Sequence, residues 1–238
     1  MLLSLVVILG CAVALFLWGW HFPDPSPLIR LLLPAKRRWP EVQIRGWLTA
    51  GRIPEGFRRF FERDPERRVP PVPGLIAPAD GLVTSAQVRD ATRYVVIALS
   101  FWDVHVQRSP CDGVVESIED SGDTYMDGEG RDFAFLREKV CPVQKRIIIR
   151  MQRGVVAVRL ITSLSARRLQ VWVSPGDEVT RGQRLGRILL GSTVVLEMPQ
   201  AWDYALNERQ RVWAGETPVE TRGVGKAHEY RAGVGGHF

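Results

Sequence analysis

Ser192 sits between Gly191 and Thr193, and that triplet can do chemistry on its own backbone. A glycine ahead of a serine admits a tight or strained turn at little steric cost. The hydroxyl can then attack the carbonyl of the preceding residue, provided a base takes its proton and donors steady the oxyanion. Taken alone, Gly-Ser-Thr reads as an ordinary turn before the apolar run Thr193 to Met198. The obvious titratable partner is His105. It is the only histidine in the body of the chain, since His21 lies near the start and His228 and His237 lie in the tail. An imidazole moves protons near neutral pH, although a lone histidine between apolar neighbours is usually a satisfied structural residue.

Asp80 belongs to Pro78-Ala79-Asp80-Gly81, where an Asp-Gly pair suits a β-turn as well as a site. Arg108 follows His105 by three residues; its guanidinium fits a carboxylate, a phosphate or a structural ion pair equally well. Arg167 and Arg168 precede a strand, so they point to opposite faces and at most one meets a given pocket. Phosphate contact and a solvated charge pair are both open to them. Cys11, Cys111 and Cys141 contain no Cys-x-x-Cys, which fits a reducing compartment without a disulfide framework. No cysteine or histidine cluster suggests a metal site, so none is expected.

Short apolar runs must position these groups. Leu82–Val88, Tyr94–Leu99, Val114–Ile118, Arg146–Met151, Val155–Ile161 and Leu169–Val173 are rich in Val, Ile and Leu, with Gly, Pro and Asp between them. They predict a mainly β fold, a barrel- or sandwich-like hybrid core with a few helices. Arg131–Lys139 is the best internal helix, Ser174–Val179 a turn, and Gly182 and Gly186 punctuate a further hairpin. The Gly-rich tail, 223–238, is expected to be flexible.

Before that core, Met1 to Trp20 contains no charged side chain, and a helix of twenty residues rises about 30 Å, one bilayer core. A transmembrane anchor over 1–21 is expected. A cleaved signal peptide would want a basic n-region and small residues at its end, and a buried helix a polar stripe. From His21 to Pro70 eleven Lys/Arg face six Asp/Glu, a balance of +5 in a chain whose net charge is +6. That asymmetry places the body on the cytoplasmic face of the cell membrane, where it would be drawn to anionic lipid. The basic balance also admits nucleic acid, but it clusters beside the anchor and no nucleic-acid motif accompanies it, so no such partner is expected. Residues 22–73 read as a juxtamembrane segment ending in the stiff connector Val69–Gly74, and 74–222 as the catalytic domain.

Three stretches resemble the phosphatidylserine decarboxylase family in its short type, shared by many bacteria and archaea. They are FFERDPERRVPPVPGLIAPADGLV from Phe60, FWDVHVQRSPCDG from Phe101, and ARRLQVWVSPGDEVTRGQRLGRILLGSTVVLEMP from Ala166. The resemblance implies self-cleavage between Gly191 and Ser192 into a large chain, 1–191, and a small one, 192–238, with Ser192 becoming a pyruvoyl cofactor. It implies decarboxylation of phosphatidylserine to phosphatidylethanolamine and needs no external cofactor. Diacyl and ether-linked lipids share the reacting headgroup, and a homodimer is common in the family. Asp80 would orient a base much as a triad carboxylate does, His105 would handle protons, and Arg108, Arg167 and Arg168 would contact substrate. The chain departs from a better-known branch, which has a second histidine where Arg108 stands. The processing base is therefore open between His105, Asp80 and a water.

Two rivals belong to other classes. Val173–Leu185 resembles the hairpin of biotinyl and lipoyl carrier domains, and with an N-terminal anchor that suggests a membrane-fusion adaptor. No lysine stands at the hairpin tip, however, and no long helical hairpin divides two lipoyl halves. The other rival is a non-catalytic homologue of the decarboxylases, which a processing assay separates.

Overall fold

A computed structural model describes residues 2–21, 32–124, 142–162, 168–189 and 192–220. The helix expected over 131–139, the tail 223–238 and Arg167 lie outside them. The chain divides into two compact units, 1–57 with 230–238, and 58–229.

In the first unit, helix α1 runs Leu2–His21, α2 Ala35–Arg38 and α3 Glu41–Thr49, while α4, Glu55–Phe61, crosses into the second. Pro34 and Pro40 cap α2 and α3, the place where a residue without an amide hydrogen does least harm. Ile44 and Phe57 are buried, and the Trp39 and Trp47 rings each lie 5.7 Å from that of Phe57. Among the described residues no helix is long and apolar enough to cross a membrane, so the transmembrane anchor expected over 1–21 finds no support there. The described side chains of α1, residues 3 to 19, carry no charge. They do form an exposed apolar surface that includes Leu3, Ile8, Leu9 and Leu15.

The second unit is mainly β, as its apolar runs predict. Eight strands form an open antiparallel sheet in the order β11-β1-β2-β10-β6-β5-β4-β8, with β1 Gly81–Arg89, β2 Thr92–Leu99, β4 Gly113–Ser121, β5 Gln144–Met151, β6 Gly154–Ile161, β8 Glu178–Val179, β10 Ser192–Pro199 and β11 Arg211–Val212. Three more form a second sheet, β3 Val106–Arg108, β9 Arg184–Leu189 and β7 Arg168–Val171, in the order β3-β9-β7. One apolar cluster spans both sheets, taking Val83, Val95, Ile97, Val158, Val194 and Leu196 from the large one and Leu185 and Ile188 from the small one. Burying each such side chain contributes about 1.5–3 kcal/mol.

β10 is central and covered on both faces, which explains its apolar stretch Val194–Leu196. Val194, Leu196 and Met198 enter the main cluster, while Val195 packs with Tyr94 and Ile161 on the other side. Glu197 on that second side is buried but satisfied, accepting from Arg146 at 2.8 and 3.0 Å and from Arg159 at 2.6 and 2.9 Å.

Candidate active site

The chain crosses between the two sheets several times. Residues 100–105 lead from β2 in the large sheet to β3 in the small one, and β10 in the large sheet follows β9 in the small one. Ser192 pairs with Leu99 in the β10–β2 ladder. Four residues before Ser192, the Ile188 amide donates to the His105 carbonyl at 3.2 Å. At this seam the 100–105 loop meets β9 and the start of β10, although positions 105 and 192 are 87 apart in sequence.

Asp80 reaches the same seam from β1. Leu82 pairs with Ala98 and Ala98 with Thr193, so Asp80 lies two strands from Ser192, just off the end of the ladder. Gly81 is required there. Its φ is 153°, and a Cβ would collide with the Ala98 carbonyl oxygen.

His105 is fully buried, and its Nδ1 donates to the Asp103 carbonyl at 2.9 Å. Phe61 covers the imidazole, ring centroids 4.0 Å apart. Burial pushes the imidazole down to about 4, against the smaller upward pull of the Asp103 carbonyl and carboxylate, and Arg63 depresses it further. At neutral pH it is an uncharged base. The Asp80 carboxyl accepts from Arg67 at 2.9 Å and from the Ala214 amide at 2.8 Å. Burial raises it above the usual carboxylate range, while Arg67 and the Ala214 amide act in the opposite direction. The group that orients Nδ1 of His105 is thus a backbone carbonyl, and Asp80 is engaged by Arg67.

The strap Phe60–Arg67 closes this side. Phe61 lies on His105, and Arg67 holds Asp80. Arg63 donates to the Phe60 and Trp102 carbonyls at 2.8 and 2.5 Å. Its guanidinium is lowered by burial, against the upward pull of Asp80 and Asp103. Asp64 pairs with Arg108 at 2.5 Å and with Arg184. Beyond the strap, three carbonyls of the proline-rich connector, Pro70, Val72 and Gly74, accept from Arg181 at 2.5 to 3.0 Å.

Arg108 is buried and donates to the Gly182 carbonyl at 2.9 Å as well as to Asp64, the structural ion pair of its two readings. Arg168 is exposed at the start of β7, opposite Leu189 and so three positions short of Ser192. Sequence reasoning missed Arg63, Arg67, Asp103 and Arg211. Asp103 is 4% exposed at its side chain, accepts from the Ser100 amide and hydroxyl at 2.7 Å each, and pairs with Arg211. Among the described residues no group of three His, Cys, Asp or Glu is arranged to hold a metal. A cleft of about 1070 Å³ lined by Cys111, Arg150, Arg153 and Arg181 shares no residue with the seam.

A family model described as phosphatidylserine decarboxylase matches residues 55–220, from the strap through β11. A relative in Halobacterium salinarum, provisionally named an archaetidylserine decarboxylase proenzyme, is 32% identical over 205 residues, 84% of this chain and 95% of its own length. One in Archaeoglobus fulgidus with the same provisional name is 34% identical over 161 residues, 68% of this chain and 76% of its own. A phosphatidylserine decarboxylase proenzyme of Solibacter usitatus is 30% identical over 169 residues, 70% of this chain and 79% of its own. The chain is thus a decarboxylase by its family. The chain belongs to the phosphatidylserine decarboxylase family, in its short, archaeal-like type.

Proposed function

We propose that the chain is a self-cleaving, pyruvoyl-dependent decarboxylase of phosphatidylserine or its ether-linked equivalent, releasing the corresponding ethanolamine lipid. The observation that supports this reading is the seam: Ser192 pairs with Leu99, the Ile188 amide donates to the His105 carbonyl, and the His105 imidazole is buried and uncharged.

Because Nδ1 donates to a carbonyl, the basic nitrogen of His105 is Nε2. His105 takes the Ser192 hydroxyl proton as Oγ attacks the Gly191 carbonyl, and the peptide becomes an ester. Removal of the Ser192 α-proton expels the Gly191 carboxylate. Hydrolysis of the resulting dehydroalanine frees ammonia and leaves a ketone. Residue 192 suits such a group because it opens a central strand paired on both sides from Thr193 onward, so the new terminus stays held after the cut. A pyruvoyl group supplies a ketone that condenses with the substrate amine and accepts the electron pair left by carbon dioxide. Asp80, kept by Arg67 and the Ala214 amide, maintains the polar wall of the site. His105, protonated during the cycle, returns a proton to the product carbon. Arg168, exposed at the start of β7, offers positive charge to the lipid phosphate.

The exposed apolar surface of α1 and the basic residues 30–68 support attachment at the cytoplasmic face of the cell membrane, where the headgroup is found. Mass measurement of purified active protein tests the central claim. Two fragments, 1–191 and 192–238, are expected, with a ketone at the second's first residue, and Ser192→Ala should give one inactive chain. Active protein consisting of a single 238-residue polypeptide overturns it.

A further inference from the structure

The buried Asp103 carboxylate has no task in the chemistry just given, yet it is held from three sides. It accepts from the Ser100 amide and hydroxyl and pairs with Arg211, while the Asp103 amide donates to the Ser100 carbonyl at 3.1 Å. That closes the turn 100–103 and fixes the direction of the Asp103 carbonyl, the acceptor for Nδ1 of His105. One residue therefore anchors the loop through its side chain and the imidazole through its main chain. Arg211 comes from β11, beyond the 191–192 bond, so this contact joins the two prospective fragments.

We propose that Asp103 and Arg211 are positioning residues that hold His105 as its Nδ1-protonated tautomer and set its basicity, and thereby govern cutting of the 191–192 bond. The inference rests on His105 as the processing base. Around the imidazole stand Asp103 on its own loop, Arg63 on the strap, the uncharged ring of Phe61, and the Arg67–Asp80 pair next to Arg63. Negative charge on Asp103 favours the imidazolium, Arg63 opposes it, and Arg211 offsets part of the charge on Asp103. The two latch residues therefore act on His105 with opposite signs, which a merely structural pair would not do.

The test uses the full-length chain with Ser192→Ala, so that every molecule stays uncut, and 15N-labelled histidine read by NMR. At pH 7, His105 should carry its hydrogen on Nδ1. Adding Asp103→Asn should move at least a quarter of the population to the Nε2–H form. Adding Arg211→Met should raise the titration midpoint by half a pH unit or more, and Arg211→Lys should restore it. Arg211 is half-exposed, and without it the Asp103 carboxylate keeps the Ser100 amide and hydroxyl, so its replacements should fold. With Ser192 present, Asp103→Asn should slow cutting at least tenfold. An unchanged tautomer in Asp103→Asn together with an unchanged midpoint in Arg211→Met overturns the latch, even where cutting slows. Normal cutting in His105→Ala removes instead the role of His105, a separate failure.

Discussion

Phe61 lies on His105 with ring centroids 4.0 Å apart and planes inclined by 36°. The contact shields the imidazole from water, and burial is the main reason its proton affinity is low. Phe61→Ala should therefore raise the His105 midpoint from about 4 toward its ordinary value of 6.5, measured by histidine NMR. It should also cost about 3–5 kcal/mol in denaturant unfolding, the usual range for a buried phenylalanine. A midpoint that stays near 4 would mean that other walls exclude the water.

The same burial predicts how stability depends on pH. The folded-state pKa of His105 is depressed, so its contribution is complete above about 6.5 and is lost as the pH falls toward about 4. The unfolded chain takes up the proton first, and the loss is on the order of 3 kcal/mol. Asp80 acts in the other direction: its raised carboxyl favours the folded state at low pH, and that contribution is lost as the pH rises through its folded value. Denaturant unfolding of Ser192→Ala at pH 7 and pH 5 should show the His105 loss, and adding His105→Gln should flatten it. Equal slopes with and without the histidine would refute the assignment.

Arg67 and Asp80 form a pair whose side chains are 6% and 9% exposed. Removing one partner of a buried pair strands the other and costs about 3–5 kcal/mol, whereas removing both is far milder. Arg67→Met should thus be strongly destabilising, should raise the Asp80 carboxyl further, and should slow the 191–192 cut. Arg67→Met with Asp80→Asn should recover much of the stability but not the cutting. Recovery of both would reduce the pair to a structural role.

Most of the large sheet was legible because its long strands are rich in Val, Ile and Leu. Val155–Ile161 was expected and Gly154–Ile161 observed; Tyr94–Leu99 was expected and Thr92–Leu99 observed. β3 and β11 escaped notice, being three and two residues long with polar side chains, stabilised by neighbours distant in sequence. The site divided in the same way. Ser192, His105 and Asp80 stood out by residue type and motif. Asp103 and Arg211, 108 residues apart, carry no local pattern. Arg63 and Arg67 counted as basic surface charge, yet the run FFERDPER was itself the signal: Phe61, Arg63, Asp64 and Arg67 alternate between covering the site and clamping its side chains.

Asp64 in that run decides what Arg108 does. It pairs with Arg108 and Arg184, and Arg108 also donates to the carbonyls of Pro65 and Gly182, so the guanidinium ties the strap to the hairpin before β9. A residue so engaged cannot turn toward a phosphate without abandoning a partly buried carboxylate. Arg108→Lys, which keeps the charge but loses the fork, should lower the melting temperature by several degrees while leaving the KM for lipid in mixed micelles near that of the native enzyme. Asp64→Ala should destabilise by about 3 kcal/mol by stranding Arg108. Arg168→Gln, exposed beside Leu189, should do the reverse and raise KM severalfold at unchanged stability. A raised KM in Arg108→Lys at native stability would return Arg108 to the substrate and require the strap to open during catalysis.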